Sequence, residues 1–272
     1  MEETEIVLLR DKAKVMRKIM IEMGYKCGSS AHFGGGLSIV EILIALYGKV
    51  LKFRSEDPRW EDRDRFILSK GHGVLGFYAA LYTFGLIGDD EIASFQQNES
   101  EFIAHPIMNL NFGIESSNGS LGHGLSLGVG IAIAARMKKK TFRTYVLLGD
   151  GECNEGSVWE AVMCASHHKL NNLIAIVDRN SMQNDGKSAD VMSFASLESV
   201  WKGFGWNVLS IDGHDIDGLV NSMMPIQNID KPTVVIANTI KGKGISFMEN
   251  VASWHHGALT KKIYEQAIEE LS

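Results

Sequence analysis

The chain has 272 residues, 45% of them hydrophobic, and a formal net charge of −6. That length and apolar content suffice for a sizeable core, and the acidic balance excludes a basic field that would recruit nucleic acid. The longest weakly polar stretch, Leu121 to Ala135, is interrupted by His123 and by glycines and is too short to cross a membrane.

In chain order, the opening MEETEIVLLRDKAK is too charged for a secretory signal. Ile6, Leu9, Ala13, Met16, Met20 and Met23 recur at three- and four-residue steps and predict an amphipathic helix over 4–23. A glycine-rich loop, CGSSAHFGGGLS, follows. Ser38 is placed to cap a helix from Ile39 to about Leu51, with Glu41 at the capping-box position. RFILS at 65–69 reads as a short buried strand, His72 to Phe84 as a helix, 85–120 as irregular, and Gly122 to Met137 as a small-residue helix. Then the pattern alternates. Strand Thr144–Leu148 leads to a helix opened by a Ser157/Glu160 capping box, and strand Leu173–Val177 to a loop rich in Asn, Asp and Gly. Helix Leu197–Phe204, strand Asn207–Ile211, helix Asp215–Met224 and strand Thr233–Asn238 come next, before the loop TIKGKG and a terminal helix, Lys261–Leu271. Strands alternating with helices predict an α/β fold, a parallel sheet with helices on both faces, here with an N-terminal helical extension and a single domain over 1–272. Three cysteines, Cys27, Cys153 and Cys164, lack metal-ligand spacing and read as reduced thiols of a cytoplasmic protein.

The run TYVLLGDGECNEG sets Asp150, Glu152 and Glu155 within six positions at the end of a buried strand. Carboxylates so crowded repel one another and resist desolvation. In such sheets ligands sit at the carboxyl ends of strands. Gly149 and Gly151 let the backbone approach a ligand closely, and turn N–H groups can meet phosphate oxygens. A divalent cation between phosphate and carboxylate relieves the repulsion. The next strand ends in VDRN, with Asn180 thirty residues after Asp150, room for one helix and one return strand. Two adjacent strand ends then present two hard oxygen ligands, suited to Mg²⁺ with a backbone carbonyl and a diphosphate completing the shell.

This pairing resembles the thiamine diphosphate motif, GDG followed about thirty residues later by asparagine. Other stretches resemble the transketolase family in the same order: SSAHFGGGLSIVEILIALY, DRDRFILSKGHGVLGFYAAL, HPIMN with SSNGSLGHGLSLGVGIAIAAR, GDGECNEGSVWEAVMCASHHKLNNLIAIVDRN, and SWHHGAL. The resemblance spans about residues 10–265 and implies the N-terminal part of a transketolase. It implies that Asp150, Asn180 and the Met182 carbonyl bind the metal. It places His32, His72, His105 and His256 around the cofactor and the donor's hydroxyls, where histidine can donate, accept and shuttle protons. His72 would face the diphosphate and His105 the donor's terminal hydroxyl. His32 and His256 would line the channel, and adjacent His255 leaves a swapped role open. Gly119, Ser120 and Leu121 would approach the aminopyrimidine, Lys241 the diphosphate, and Gly149, Gly151 and Glu152 the cofactor's turn. Glu155 and Glu160 match glutamates of a proton network across a subunit interface. Two positions depart from the family pattern: Phe33 stands for the usual proline after the first histidine, and Ala31 for the usual glycine before it.

Thiamine diphosphate works as an electron sink through a carbanion at C2, whose formation needs a glutamate beside the aminopyrimidine. In the family that glutamate lies on a second α/β domain, absent from this chain. The resemblance therefore implies a half-site: this chain holds diphosphate and metal. A C-terminal subunit with the pyrimidine and C-terminal domains completes an α2β2 assembly, which transfers a two-carbon ketol unit from a ketose phosphate to an aldose. Four other readings compete with this one, and the first, a 1-deoxyxylulose-phosphate synthase, is a thiamine relative whose single chain carries all its domains. The α subunit of a 2-oxoacid dehydrogenase shares the metal motif, but the histidine set and RDRFILSKGH argue against it. A non-catalytic cofactor-binding subunit would not need those histidines. GHGVLG at 71–76 is a formal dinucleotide-binding G-x-G-x-x-G, yet Asp89 and Asp90, at about the right distance, follow a helix and not a second strand.

Overall fold

Apolar β-branched runs bounded by polar turns form strands, and five of them pair into one parallel sheet. The computed structural model describes residues 1–224 and 229–272. Helices α1 (Glu3–Lys26), α2 (Gly34–Leu37) and α3 (Val40–Ala45) precede strand β1 (Arg65–Leu68), followed by α4 (Val74–Thr83), α5 (Asp89–Ala93) and α6 (Gly124–Met137). Then come β2 (Thr144–Gly149), α7 (Gly156–His167), β3 (Leu173–Arg179), α8 (Ser188–Val191), α9 (Leu197–Gly203), β4 (Asn207–Asp212), α10 (Ile216–Met223), β5 (Thr233–Asn238) and α11 (Lys261–Glu270). The strand order is β1-β2-β3-β5-β4. Gly149 lies opposite Asp178, and Asp178 opposite Ala237, so the carboxyl ends of β2, β3 and β5 form one rim.

Alternation along the strands divides the core in two. Tyr145, Leu147, Ile174, Ile176, Val235 and Ala237 pack with α1, α3, α4, α10 and α11. Val146, Leu148, Ala175, Val177, Val234 and Ile236 pack with α6, α7 and α9 on the other face. Each fully buried Val, Leu or Ile contributes roughly 1.5–3 kcal/mol, so both layers hold the sheet. The N-terminal helices do not stand apart. They are the cover of one face.

Two expected capping boxes do not form, because tertiary partners claim the side chains. Ser38 is helical itself, and its hydroxyl donates to the Gly35 carbonyl and to Asp178, while Glu41 pairs with Arg17. The helix expected from Ile39 to about Leu51 forms over 40–50, its second half, Leu46–Val50, widening into a π turn, and an extra short helix, α2, precedes it. At α7 the N-cap is Glu155, without a side-chain bond; Ser157 donates to the Gly122 carbonyl, and Glu160 is exposed. The stretch 85–120 is irregular as expected except for α5, where Glu91 reaches back to the Gly88 N–H, and a single turn at Leu110–Phe112. The polar loop after β3 likewise contains α8.

Candidate active site

A cleft of about 500 Å³ opens over the carboxyl rim of β2 and β3. One wall is the Asp150 turn. The Asp150 carboxylate accepts from the N–H groups of Gly151 and Ser181, at 2.9 and 2.8 Å, and from the Ser188 hydroxyl. Burial and then the nearby Asp178 charge push its pKa up to about 6. Asn180 donates its amide N–H to Asp178 at 3.0 Å, which leaves its side-chain oxygen turned to the Met182 N–H. Asp150, Asn180 and Met182 all line the cleft, as the sequence reading required.

Beneath this turn lies an ion pair that sequence reasoning missed. Lys70, 1% exposed, donates to Asp178, which is wholly buried, and to the Gly35 carbonyl. Ser38 and Thr239 also donate to the Asp178 carboxylate. Burial alone would raise the Asp178 pKa; the Lys70 charge and these hydrogen bonds reverse the shift and lower it. In the sequence each stands alone as a charge at an apolar strand end, RFILSK and IAIVD, with nothing to pair the two. Glu152 is 2% exposed, and its oxygens accept from Ser69, Gly122 N–H and Gly149 N–H. It braces the turn from below, which disposes of one of the three crowded carboxylates. Glu155 is exposed at the cleft mouth.

The opposite wall is aromatic and basic. The His32 ring centroid lies 5.8 Å from His72, 5.6 Å from His105, 5.5 Å from His255 and 4.4 Å from His256. His72 packs against Gly35, where a Cβ would come within 2.8 Å of the ring. His255 stacks on His72 at 5.1 Å and meets the Lys241 ammonium at 2.8 Å. Of the adjacent pair, His255 lines the cleft, while His256 is exposed beside His32. Gly119 and Leu121 line the cleft; Ser120 is exposed outside it.

Burial makes His32, His72, His105 and His255 poor cations. Burial, then the charges of His256 and His105, hold His32 down to about 4. Burial and Lys241 hold His255 down to about 3, and His72 and His105 are lowered as well, chiefly by burial. Lys241 is 2% exposed and pushed down to about 8 by burial and by Lys70. At neutral pH the wall therefore offers neutral imidazoles, able to donate from one nitrogen and accept at the other.

The residues fit a metal–diphosphate group. The donor set on one side is hard oxygen: a carboxylate, an amide oxygen and a backbone carbonyl. Two buried polar atoms of cleft residues, His32 Nδ1 and Gln183 Nε2, have no partner among the described residues. Gln183, another residue sequence reasoning passed over, lies against Gly151. No group of three or more His, Cys, Asp or Glu side chains is placed to hold a metal among the described residues, so a cation here would lean on Asn180 and the Met182 carbonyl. GHGVLG does follow a strand, but Asp89 and Asp90 sit in α5 with no second strand between it and α4 among the described residues, which removes the dinucleotide reading.

Comparison with known proteins agrees with this geometry. A family profile described as "Transketolase, thiamine diphosphate binding domain" matches residues 10–271. The chain is 40% identical over 269 residues to one of the subunits of the apulose-4-phosphate transketolase of Phocaeicola vulgatus, covering 98% of this chain and 95% of the relative. It is 40% identical over 264 residues to the SqwG subunit of the 6-deoxy-6-sulfo-D-fructose transketolase of a Clostridium species, covering 97% and 96%. The solved transketolase of Campylobacter jejuni superposes with a TM-score of 0.90 at 28% identity, over 100% of this chain and 43% of its own length. The paired strand ends, the converging histidines and these likenesses lead to one conclusion: the chain belongs to the transketolase family and comprises its thiamine diphosphate-binding domain.

Proposed function

We propose that this chain is the diphosphate- and Mg²⁺-binding subunit of a split transketolase. It would transfer a two-carbon ketol unit from a ketose phosphate to an aldose acceptor. The observation that carries the reading is the pairing of Gly149 with Asp178, which sets Asp150 and Asn180 side by side across the cleft from His72, His255 and Lys241. Two relatives of nearly the same length are named as transketolase subunits, which supports a partner that supplies the pyrimidine and C-terminal domains. Their names carry a sugar phosphate and a sulfonated sugar, so an anionic ketose is the substrate class. An α2β2 assembly, with Glu155 and Glu160 near the two-fold, belongs to the same proposal; both glutamates are exposed in this chain. So does a cytoplasmic setting: the three cysteines are free thiols, and among the described residues no helix is long and apolar enough to cross a membrane.

When bound, thiamine diphosphate supplies the electron sink for carbon–carbon cleavage. The chain's own residues then do four things. Asp150, Asn180 and the Met182 carbonyl would hold Mg²⁺. Lys241 would donate to the diphosphate, with neutral His72 and His255 beside it. Gly119 and Leu121 would meet the cofactor's ring end. His32, His105 and His256 would bind the donor's hydroxyls and accept or return their protons, a task suited to imidazole, which can donate from one nitrogen and accept at the other.

The test is reconstitution. The purified chain should show no ketol transfer alone and gain it with the partner subunit. Asp150→Ala should weaken Mg²⁺-dependent cofactor binding by at least the roughly 10- to 100-fold that loss of even an outer-shell partner costs a metal site. Transfer by the chain alone, free of partner by mass spectrometry, would overturn the half-site.

A further inference from the structure

The loop that carries Lys241 is tied to the far side of the molecule. Arg17 in α1 and Glu41 in α3 form a buried ion pair, with Arg17 Nη2 at 2.7 and 2.9 Å from the two carboxylate oxygens. Arg17 Nε donates onward to the Lys243 carbonyl at 3.0 Å. Gly244 makes room for it: its φ is +95°, and a Cβ there would lie 2.6 Å from Arg17 Nε. The second arm runs through His214, at the turn after β4. The Ile240 N–H donates to His214 Nε2 at 2.9 Å, so that nitrogen holds a lone pair. The ring proton is therefore on Nδ1, which donates to Glu41 at 2.9 Å. Glu41 is the shared anchor of the two arms.

Lys241 sits between the two tied points, Ile240 and Lys243. Its ammonium donates to the Gln183 carbonyl at 3.0 Å and the Met182 carbonyl at 3.4 Å, lies 2.8 Å from His255 Nδ1, and has no carboxylate partner among the described residues. A lysine so placed resists its own desolvation. Neutral acceptors and the backbone ties of its loop, and not an ion pair, keep it in the cleft.

We propose that Arg17, Glu41 and His214 are positioning residues that strap the 240–243 loop and so set the Lys241 ammonium at the diphosphate end of the cleft. The proposal rests on the reading of Lys241 as a diphosphate contact. It makes the strap more than a staple between helices: its ties converge on the residues flanking one cleft lysine.

Two variants cut the two arms separately and leave Glu41 a partner. His214→Asn retains a donor toward Glu41 but loses the acceptor for Ile240. Arg17→Lys retains the charge but loses the bond to Lys243. Thermal unfolding checks that each variant folds, and either one suffices for the test. Amide hydrogen exchange of the 239–244 segment in the full chain should rise about tenfold or more in either variant. With Mg²⁺ and the partner subunit present, the thiamine diphosphate Kd should rise about tenfold. In a Lys241→Ala background His214→Asn should add little, because both act through one ammonium. Unchanged exchange overturns the strap, and so do Kd losses that multiply in the double variant. An unchanged Kd for Lys241→Ala alone overturns the reading of Lys241 and the proposal with it, even where exchange has risen, so the two failures are told apart.

Discussion

The two walls of the cleft are built in opposite ways. Asp150 and Asn180 stand on the ends of two hydrogen-bonded strands, and the ladder itself sets their separation. His32, His72, His105, His255 and His256 come from separate turns and loops on the other side, gathered by packing. The electrostatics differ in the same sense. Burial raises the Asp150 carboxyl and lowers His32, His72 and His255, so each wall is pushed toward its neutral form. A cation on the first wall and an anion on the second would relieve both, and the metal-bound diphosphate of the proposed function would be one ligand with both signs.

The comparison implies that damage to the strand-end wall shows first in stability, and damage to the histidine wall first in binding and turnover. The largest effect is expected at Lys70→Met. It strands the wholly buried Asp178 charge beneath the Asp150 turn, and breaking such a pair costs about 3–5 kcal/mol. Urea unfolding of the variant reads this directly. Wild-type stability would mean that the strand-end wall does not rest on the ion pair, and the contrast would fail.

A smaller effect separates the adjacent histidines. His255 contacts Lys241, His72 and His32, whereas His256 meets His32 alone among the rings of the described residues. His255→Ala should weaken cofactor binding by roughly 1–3 kcal/mol. His256→Ala should spare the cofactor Kd and lower kcat, by the roughly hundredfold that a placed acid–base group contributes. Calorimetry and steady-state kinetics of both variants decide it; the reverse pattern would move the catalytic role inward to His255.

The smallest effect is in pH. His32 and His255 titrate near 6.5 when unfolded but are held to about 4 and about 3 in the fold. Between those values the unfolded chain binds more protons, so stability without cofactor falls as pH drops below about 6.5. Both rings are partly open to solvent, which screens the effect. His32→Gln should flatten this acid slope in thermal melts from pH 7 to pH 5. An unchanged slope would show that the crowded wall is not what acid attacks.

The same contrast governs how much of the molecule could be read in advance. Strand positions were legible because apolar runs bounded by turns carry their own signal, and Asp150 with Asn180 was legible because one helix and one strand separate them. β2 and β3 proved longer than read, since their pairing continues to Gly149 and Arg179 at the rim. Lys70 with Asp178 was not legible, because only the assembled sheet brings them together. Ser38 and Ser157 misled for the same reason. Each has the local pattern of a cap, but Asp178 and the Gly122 carbonyl outbid the backbone N–H groups. The histidines were found through family likeness and not through spacing, and which of His255 and His256 faces the cleft depended on the turn Ala252–His255.

The register of the first strand has a consequence for synthesis. Arg65 pairs with Thr144, so β1 has no strand partner until seventy-nine further residues have been made. At about 5–20 residues per second this wait lasts roughly 4–16 s. Phe66 can meanwhile pack on Tyr47 and Phe77, which are close in the chain. Ile67 faces the other core, whose first helix begins only at Gly124. A ribosome that stalls in this window presents a half-covered strand with an open edge, the kind of surface on which nascent chains aggregate or recruit chaperones.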